Sequence, residues 1–147
     1  MRSRLASEEQ GFTLPELLVV VVIIGILAAI ALVLFTSQKE KGQDADAKSN
    51  ASALVAEVDS CYVDTGNFVA CDGQGGTGDS LGKTGLPIGT GKGEVSVTAS
   101  TFDTFKVTAI STAGHHFTIS QGPTSKQVHT CDAGLVSDGG GCSNGTW

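Results

Sequence analysis

The sequence predicts an α+β fold: one long N-terminal α-helix whose second half packs on a small antiparallel β-sheet. Three observations predict it. From Leu17 to Phe35 no side chain is charged or strongly polar. From Ala47 to Tyr62 the apolar residues recur in steps of three and four. Beyond Glu94, three short segments alternate apolar and polar residues. The first pattern suits a membrane-spanning helix, the second one face of a helix, the third half-buried strands.

The apolar run exceeds the roughly 18 residues at which a membrane span becomes the default reading. At about 1.5 Å per residue it just covers a hydrocarbon core of about 30 Å. Glu16 stands at its start, next to Pro15. A carboxylate entering lipid unpaired costs about 2–4 kcal/mol, so Glu16 asks for an explanation. Pro15 fits the first helical turn, where its missing N–H is no loss. Gly25 is the only helix breaker between Leu17 and Phe35.

The helix is expected to continue to about Cys61. Thr36–Ser60 has no proline and only one glycine, Gly42. Ala47, Ala51, Leu54, Val55, Val58 and Tyr62 mark one apolar face. Lys39, Glu40, Lys41, Asp44, Asp46 and Lys48 are expected on a solvated face. Gly66 and Asn67 suit a left-handed stop after the helix. The glycine-rich stretch 72–93 reads as a surface loop.

The expected strands are Glu94–Thr101, Thr104–Thr112 and His116–Gln121. Their inward residues are Val95, Val97 and Ala99; Phe105, Val107 and Ala109; and Phe117 with Ile119. Phe102-Asp103 and Ala113-Gly114 are short enough for hairpin turns, which predicts an antiparallel meander. Gln121-Gly122-Pro123-Thr124 is a further turn, and Lys126–Cys131 can add an edge strand. Residues 132–147 form a glycine-rich tail.

The organisation expected from this is a leader over residues 1–11, a membrane or core helix over 12–35, and an extracellular domain over 36–147. Within that domain lie a helix half at 36–61, the loop 72–93, the sheet 94–131 and the tail 132–147. About a hundred residues beyond the apolar run suffice for one small domain. Twenty glycines and few aromatic residues imply a thin core that needs staples. Cys61, Cys71, Cys131 and Cys142 can supply them; four cysteines allow three connectivities. Sequence-local pairing, Cys61–Cys71 and Cys131–Cys142, is the expectation, since each pair brackets a turn-rich loop. Disulfides would place the domain outside the cytoplasm. Arg2 and Arg4 before the span favour a cytoplasmic N-terminus, diluted by Glu8 and Glu9.

The formal net charge of -6 leaves no basic face for nucleic acid. The cysteine pairs lack zinc spacing. His115 and His116, adjacent in sequence, point to opposite faces of a strand; they and His129 read as solvated. Gly75–Leu81 nearly matches a calcium nonapeptide but does not repeat, and Asp132–Asp138 misses the EF-hand spacing. No G-x-S-x-G, H-E-x-x-H or phosphate-loop pattern occurs. No enzyme activity, metal or cofactor is therefore expected.

Gly11-Phe12-Thr13-Leu14-Pro15-Glu16-Leu17-Leu18, followed by an unbroken apolar helix, resembles the class III signal of type IV pilins and pseudopilins. Tyr62-Val63-Asp64-Thr65-Gly66-Asn67-Phe68 resembles the segment after the long helix in many members. The resemblance implies a pilin-like fold and a structural subunit, of major type, in a type IV pilus. It implies cleavage between Gly11 and Phe12 by a prepilin peptidase, N-methylation of Phe12, and a charge pair between Glu16 and the Phe12 amine of a neighbouring identical subunit. The precursor would sit in the membrane and the product in a filament on the cell surface. Many members carry a proline where this chain has Val33. Within the class, a pseudopilin of a type II secretion or DNA-uptake system shares the helix and leader. A non-polymerising, membrane-anchored binding module is the alternative of another class. A secretory signal cleaved at Ala29-Ile30-Ala31 would need a shorter apolar run, of about 7–15 residues, and no acids near it. A plain membrane anchor explains neither Gly11-Phe12 nor Glu16.

Overall fold

The computed structural model describes residues 11–73, 84–132 and 140–147. The leader up to Gln10, the loop centre 74–83 and the tail segment 133–139 lie outside the described residues. So do most of the two calcium-like stretches. The elements are a helix α1 (Leu14–Thr65), a 3₁₀ turn (Val69–Cys71), and strands β1 (Val95–Ser100), β2 (Phe105–Ile110), β3 (His116–Gln121) and β4 (Gln127–Cys131). The chain divides into two compact units, Met1–Ser37 and Gln38–Trp147.

In the first unit the described helix surface is apolar and uncovered. Between Leu17 and Phe35, fourteen large apolar residues are about half exposed or more, from Val20 at 48% to Leu32 and Phe35 at 68%. Nothing within this unit offsets the cost of leaving that surface in water, about 25 cal/mol per Å². By length and composition α1 is the one candidate membrane span among the described residues.

In the second unit α1 has a buried stripe: Ala47, Ala51, Leu54, Val55, Val58 and Cys61. Steps of three and four put these residues on one side of the cylinder. The stripe shares a single core with Val95, Val97, Phe105, Val107, Ala109, Phe117 and Ile119 from the sheet. The four strands are ordered β1-β2-β3-β4, each antiparallel to the next. Short tight turns between successive strands are what allow this meander.

The expected alternation holds through β2 and β3, whose inward residues are Phe105, Val107, Ala109, Phe117 and Ile119. In β1, Val95 and Val97 are buried as expected. The register shifts between Val97 and Ala99, so Ala99 pairs with Lys106 rather than Phe105. One extra residue in one strand of a pair is a β-bulge. The edge strand expected near Lys126–Cys131 is present as β4. The loop after 84 also lies along β1, where Val95 donates to the Pro87 carbonyl at 2.9 Å and Gly89 to the Val95 carbonyl at 3.0 Å.

Helix α1 ends at Thr65, a turn beyond the expected Cys61. Gly66 takes φ +76°, and its N–H reaches the Tyr62 carbonyl at 2.8 Å, as the left-handed stop requires. Tyr62 is half-buried and stacks on Phe68 at 4.2 Å, and Phe68 meets Phe105 edge-on at 4.9 Å. The Phe68 N–H reaches the Phe102 carbonyl at 3.3 Å, which ties the helix end to the β1–β2 turn. The disulfides are the sequence-local pair, Cys61–Cys71 and Cys131–Cys142.

Candidate assembly site and the clasp on the helix

Thr13 and Glu16 form the start of α1. The Glu16 and Leu17 N–H groups donate to the Thr13 carbonyl at 3.1 and 3.2 Å. Glu16 Oε2 turns back and accepts from the Thr13 hydroxyl at 3.1 Å and, more weakly, from its backbone N–H at 3.4 Å. This is the reaching-back half of a capping box, in which a glutamate three residues into the helix satisfies a backbone donor at its start. The Thr13-x-x-Glu16 spacing carries that signal in the sequence, where Glu16 is read as a carboxylate at the edge of a span and as half of an intersubunit charge pair rather than as a helix cap. An acid in the first turn also suits the positive end of the helix dipole.

Phe12 and Leu14 are each 82% exposed. A Cβ on Gly11 would meet nothing within 4 Å, and no left-handed φ calls for glycine there. Among the described residues nothing therefore places a demand on Gly11. Gly25 is equally free of neighbours and leaves a gap in the side-chain surface of the helix.

The second polar cluster was not legible as a site. Asp44, expected on a solvated face, is fully buried. Its two carboxylate oxygens lie 2.9 and 2.8 Å from His115 Nδ1. His115, expected at a solvated strand end, instead sits in the β2–β3 turn. There its N–H donates to the fully buried Ser111 hydroxyl at 3.0 Å. Lys48, also expected on the solvated face, is half-buried one helical turn from Asp44. Its ammonium donates to the Gly140 carbonyl. It also lies 5.1 and 5.2 Å from the ring centres of Phe117 and Trp147. Burial pushes the Lys48 ammonium below its usual range, and the Asp44 carboxylate opposes that shift.

The end of the tail docks against the same place. Trp147 Nε1 donates to the Thr130 carbonyl at 3.0 Å, and its ring packs on His129 at 4.5 Å and Phe117 at 6.0 Å. The Cys131 N–H reaches the Gly145 carbonyl at 2.9 Å. Helix, strand turn and C-terminus are thus clasped together. His116 stands apart from the clasp and lies 3.9 Å from Asp132. The groove lined by Gln43, Asp46, Asn50, Ser111 and Thr112 brings together amides, hydroxyls and one carboxylate. Among the described residues no three His, Cys, Asp or Glu side chains converge as a metal site would require.

A long helix with an uncovered apolar surface and a glutamate at its head, joined to a disulfide-stapled antiparallel sheet domain, is the α+β architecture of a pilin-like subunit. The model of the prokaryotic N-terminal methylation motif matches residues 7–32. The type IV major pilin protein PilA of Myxococcus xanthus (strain DK1622) is 48% identical over 52 residues, covering 35% of this chain and 24% of that protein. A fimbrial protein of Pseudomonas aeruginosa is 34% identical over 103 residues, covering 69% of this chain and 67% of its own length. A second fimbrial protein from that organism matches to the same extent. No solved structure gives a significant match. The chain belongs to the type IV pilin family, the structural subunits of pili.

Proposed function

We propose that the chain is a major-type subunit of a type IV pilus, made as a membrane-anchored precursor and assembled into a surface filament. A prepilin peptidase cuts between Gly11 and Phe12, and the new Phe12 amine is N-methylated. The leader stays on the cytoplasmic side, and residues 36–147 form the extracellular domain. In the bilayer, the run 12–35 meets lipid. In the filament, the same surface packs against identical helices, and Gly25 lets a neighbour approach closely.

The observation that carries this reading is the head of α1. Glu16 is exposed, and among the described residues its side chain bonds to Thr13, at the start of an exposed apolar helix surface. Its remaining acceptor capacity suits the Phe12 amine of an adjacent subunit. Once water is excluded, the carboxylate and the amine each need the other. Gly11, on which the described residues place no demand, is explained by a peptidase site that admits no side chain. Intact mass of the membrane-extracted protein tests the processing. A mature chain beginning at N-methyl-Phe12 is expected, and cleavage after Ala31 or an intact leader would overturn it.

A further inference from the structure

We propose that Asn144 is a glycan acceptor, its side-chain amide taking an N-linked sugar after export. The inference rests on the export proposed above. The chain has asparagines at 50, 67 and 144. Two of them open an Asn-x-Ser/Thr triplet, the acceptor pattern of N-glycosylation: Asn50-Ala51-Ser52 and Asn144-Gly145-Thr146.

The fold separates the two triplets. Asn50 is half-buried inside α1, and Ala51 is fully buried in the core. The middle residue of that triplet belongs to the core, so a transferase cannot reach the triplet without unfolding the helix. Asn144 stands at the tip of a two-residue hairpin. The Ser143 N–H donates to the Thr146 carbonyl at 2.8 Å, and the Thr146 N–H to the Ser143 carbonyl at 3.0 Å. Asn144 has φ 51° and Gly145 φ 77°, the paired left-handed conformations of an Asn-Gly type I′ turn. Asn144 and Thr146 are exposed, whereas Gly145 is half-buried and its carbonyl holds the Cys131 N–H. The hairpin is thus fixed to β4 through Gly145 and leaves the acceptor amide in solvent. The third asparagine is engaged locally: Asn67 Oδ1 accepts from the Ala70 N–H at 3.0 Å.

The donor class is a sugar linked to a polyprenyl diphosphate lipid, and the transfer is made by a membrane oligosaccharyltransferase. A bond forms between Asn144 Nδ2 and the anomeric carbon. The bond from that carbon to the phosphate oxygen breaks, and the lipid diphosphate leaves with the electron pair. Nδ2 gives up one proton to the transferase. Nothing is oxidised or reduced. The Thr146 hydroxyl is the recognition group two residues on.

The test is a peptide mass map of the chain recovered from its source cells. No Lys or Arg follows Lys126, so after reduction one tryptic peptide, residues 127–147, carries Asn144. That peptide is expected to be heavier by a glycan, which an amidase removes to leave Asp at 144. The peptide beginning at Ser49 is expected to be bare at Asn50. Asn144→Gln and Thr146→Val should abolish the adduct, while Thr146→Ser keeps it. A bare Asn144, only the mass change of deamidation, or a sugar on Asn50 overturns the inference. The same digest reports the N-terminus. An N-methylated Phe12 with a bare Asn144 sinks the glycan alone, and an unprocessed leader sinks the pilin processing.

Discussion

His115 Nδ1 lies within 2.9 Å of both carboxylate oxygens of Asp44, a side chain with no solvent exposure. A carboxylate in that position has lost its hydration, and the imidazole N–H and the nearby Lys48 ammonium replace it. The pair joins the helix to the β2–β3 turn across 71 residues of sequence.

His115→Ala should therefore be costly. Removing the imidazole leaves the buried Asp44 carboxyl short of its hydrogen-bond partner, at about 1–3 kcal/mol. Asp44→Ala with His115→Ala removes both groups, and the double change should cost clearly less than the sum of the singles. Chemical denaturation of the four proteins checks this. Additive losses would show that the two side chains stabilise independently.

Gly140→Ala tests the tail side of the clasp. Gly140 has φ +53°, and a Cβ there would overlap the Asp44 carboxyl. Neither the backbone nor the buried carboxylate can yield cheaply, so a loss of about 1–3 kcal/mol is expected. Gly122→Ala is the control, since its Cβ would meet nothing within 4 Å. Thermal melts of the two variants should differ, with Gly122→Ala close to the parent.

Glu16→Gln separates a membrane-boundary role from an assembly role. Glutamine keeps the size and the polarity, so leader removal should continue. If Glu16 pairs with the Phe12 amine of a neighbour, the amide loses the ionic part of that contact and leaves the amine without a counter-charge in the helix bundle. Assembly should fail or slow greatly. Mass spectrometry confirms maturation and electron microscopy counts filaments. Normal filaments from the fully processed variant would refute the charge pair.

Asp59 should give stability a pH dependence of known sign. Burial raises its carboxyl above the ordinary value of 3.8. The folded state then holds the proton more tightly than the unfolded state. Its contribution is fully present below 3.8 and is lost as pH rises through the folded-state value. Asp59→Asn should thus gain stability relative to the parent on going from pH 3 to pH 7. Urea melts across that range check it, and a gap independent of pH would contradict it.

Much of this protein was legible in contiguous sequence. Helix and strand periods are local properties, so the apolar run, the Ala47–Val58 stripe and the inward faces of β2 and β3 could be read directly. The same holds for Gly66, whose conformational freedom suits a helix stop, and for disulfides that close short loops. At the head of the helix, Glu16 stood out because a carboxylate beside an apolar run needs a reason, whereas Gly11 and Phe12 stood out through the resemblance of the motif. The clasp was not legible. Asp44 and Lys48 have the charge and spacing of a solvated helix face. Only the arrival of His115 and Gly140, 71 and 92 residues away in sequence, turns that face inward. The shift within β1 and the docking of Trp147 on Phe117 and His129 are of the same kind. Each depends on which distant backbone comes alongside, and the free energy of that meeting belongs to the assembled core rather than to any local pattern of residues.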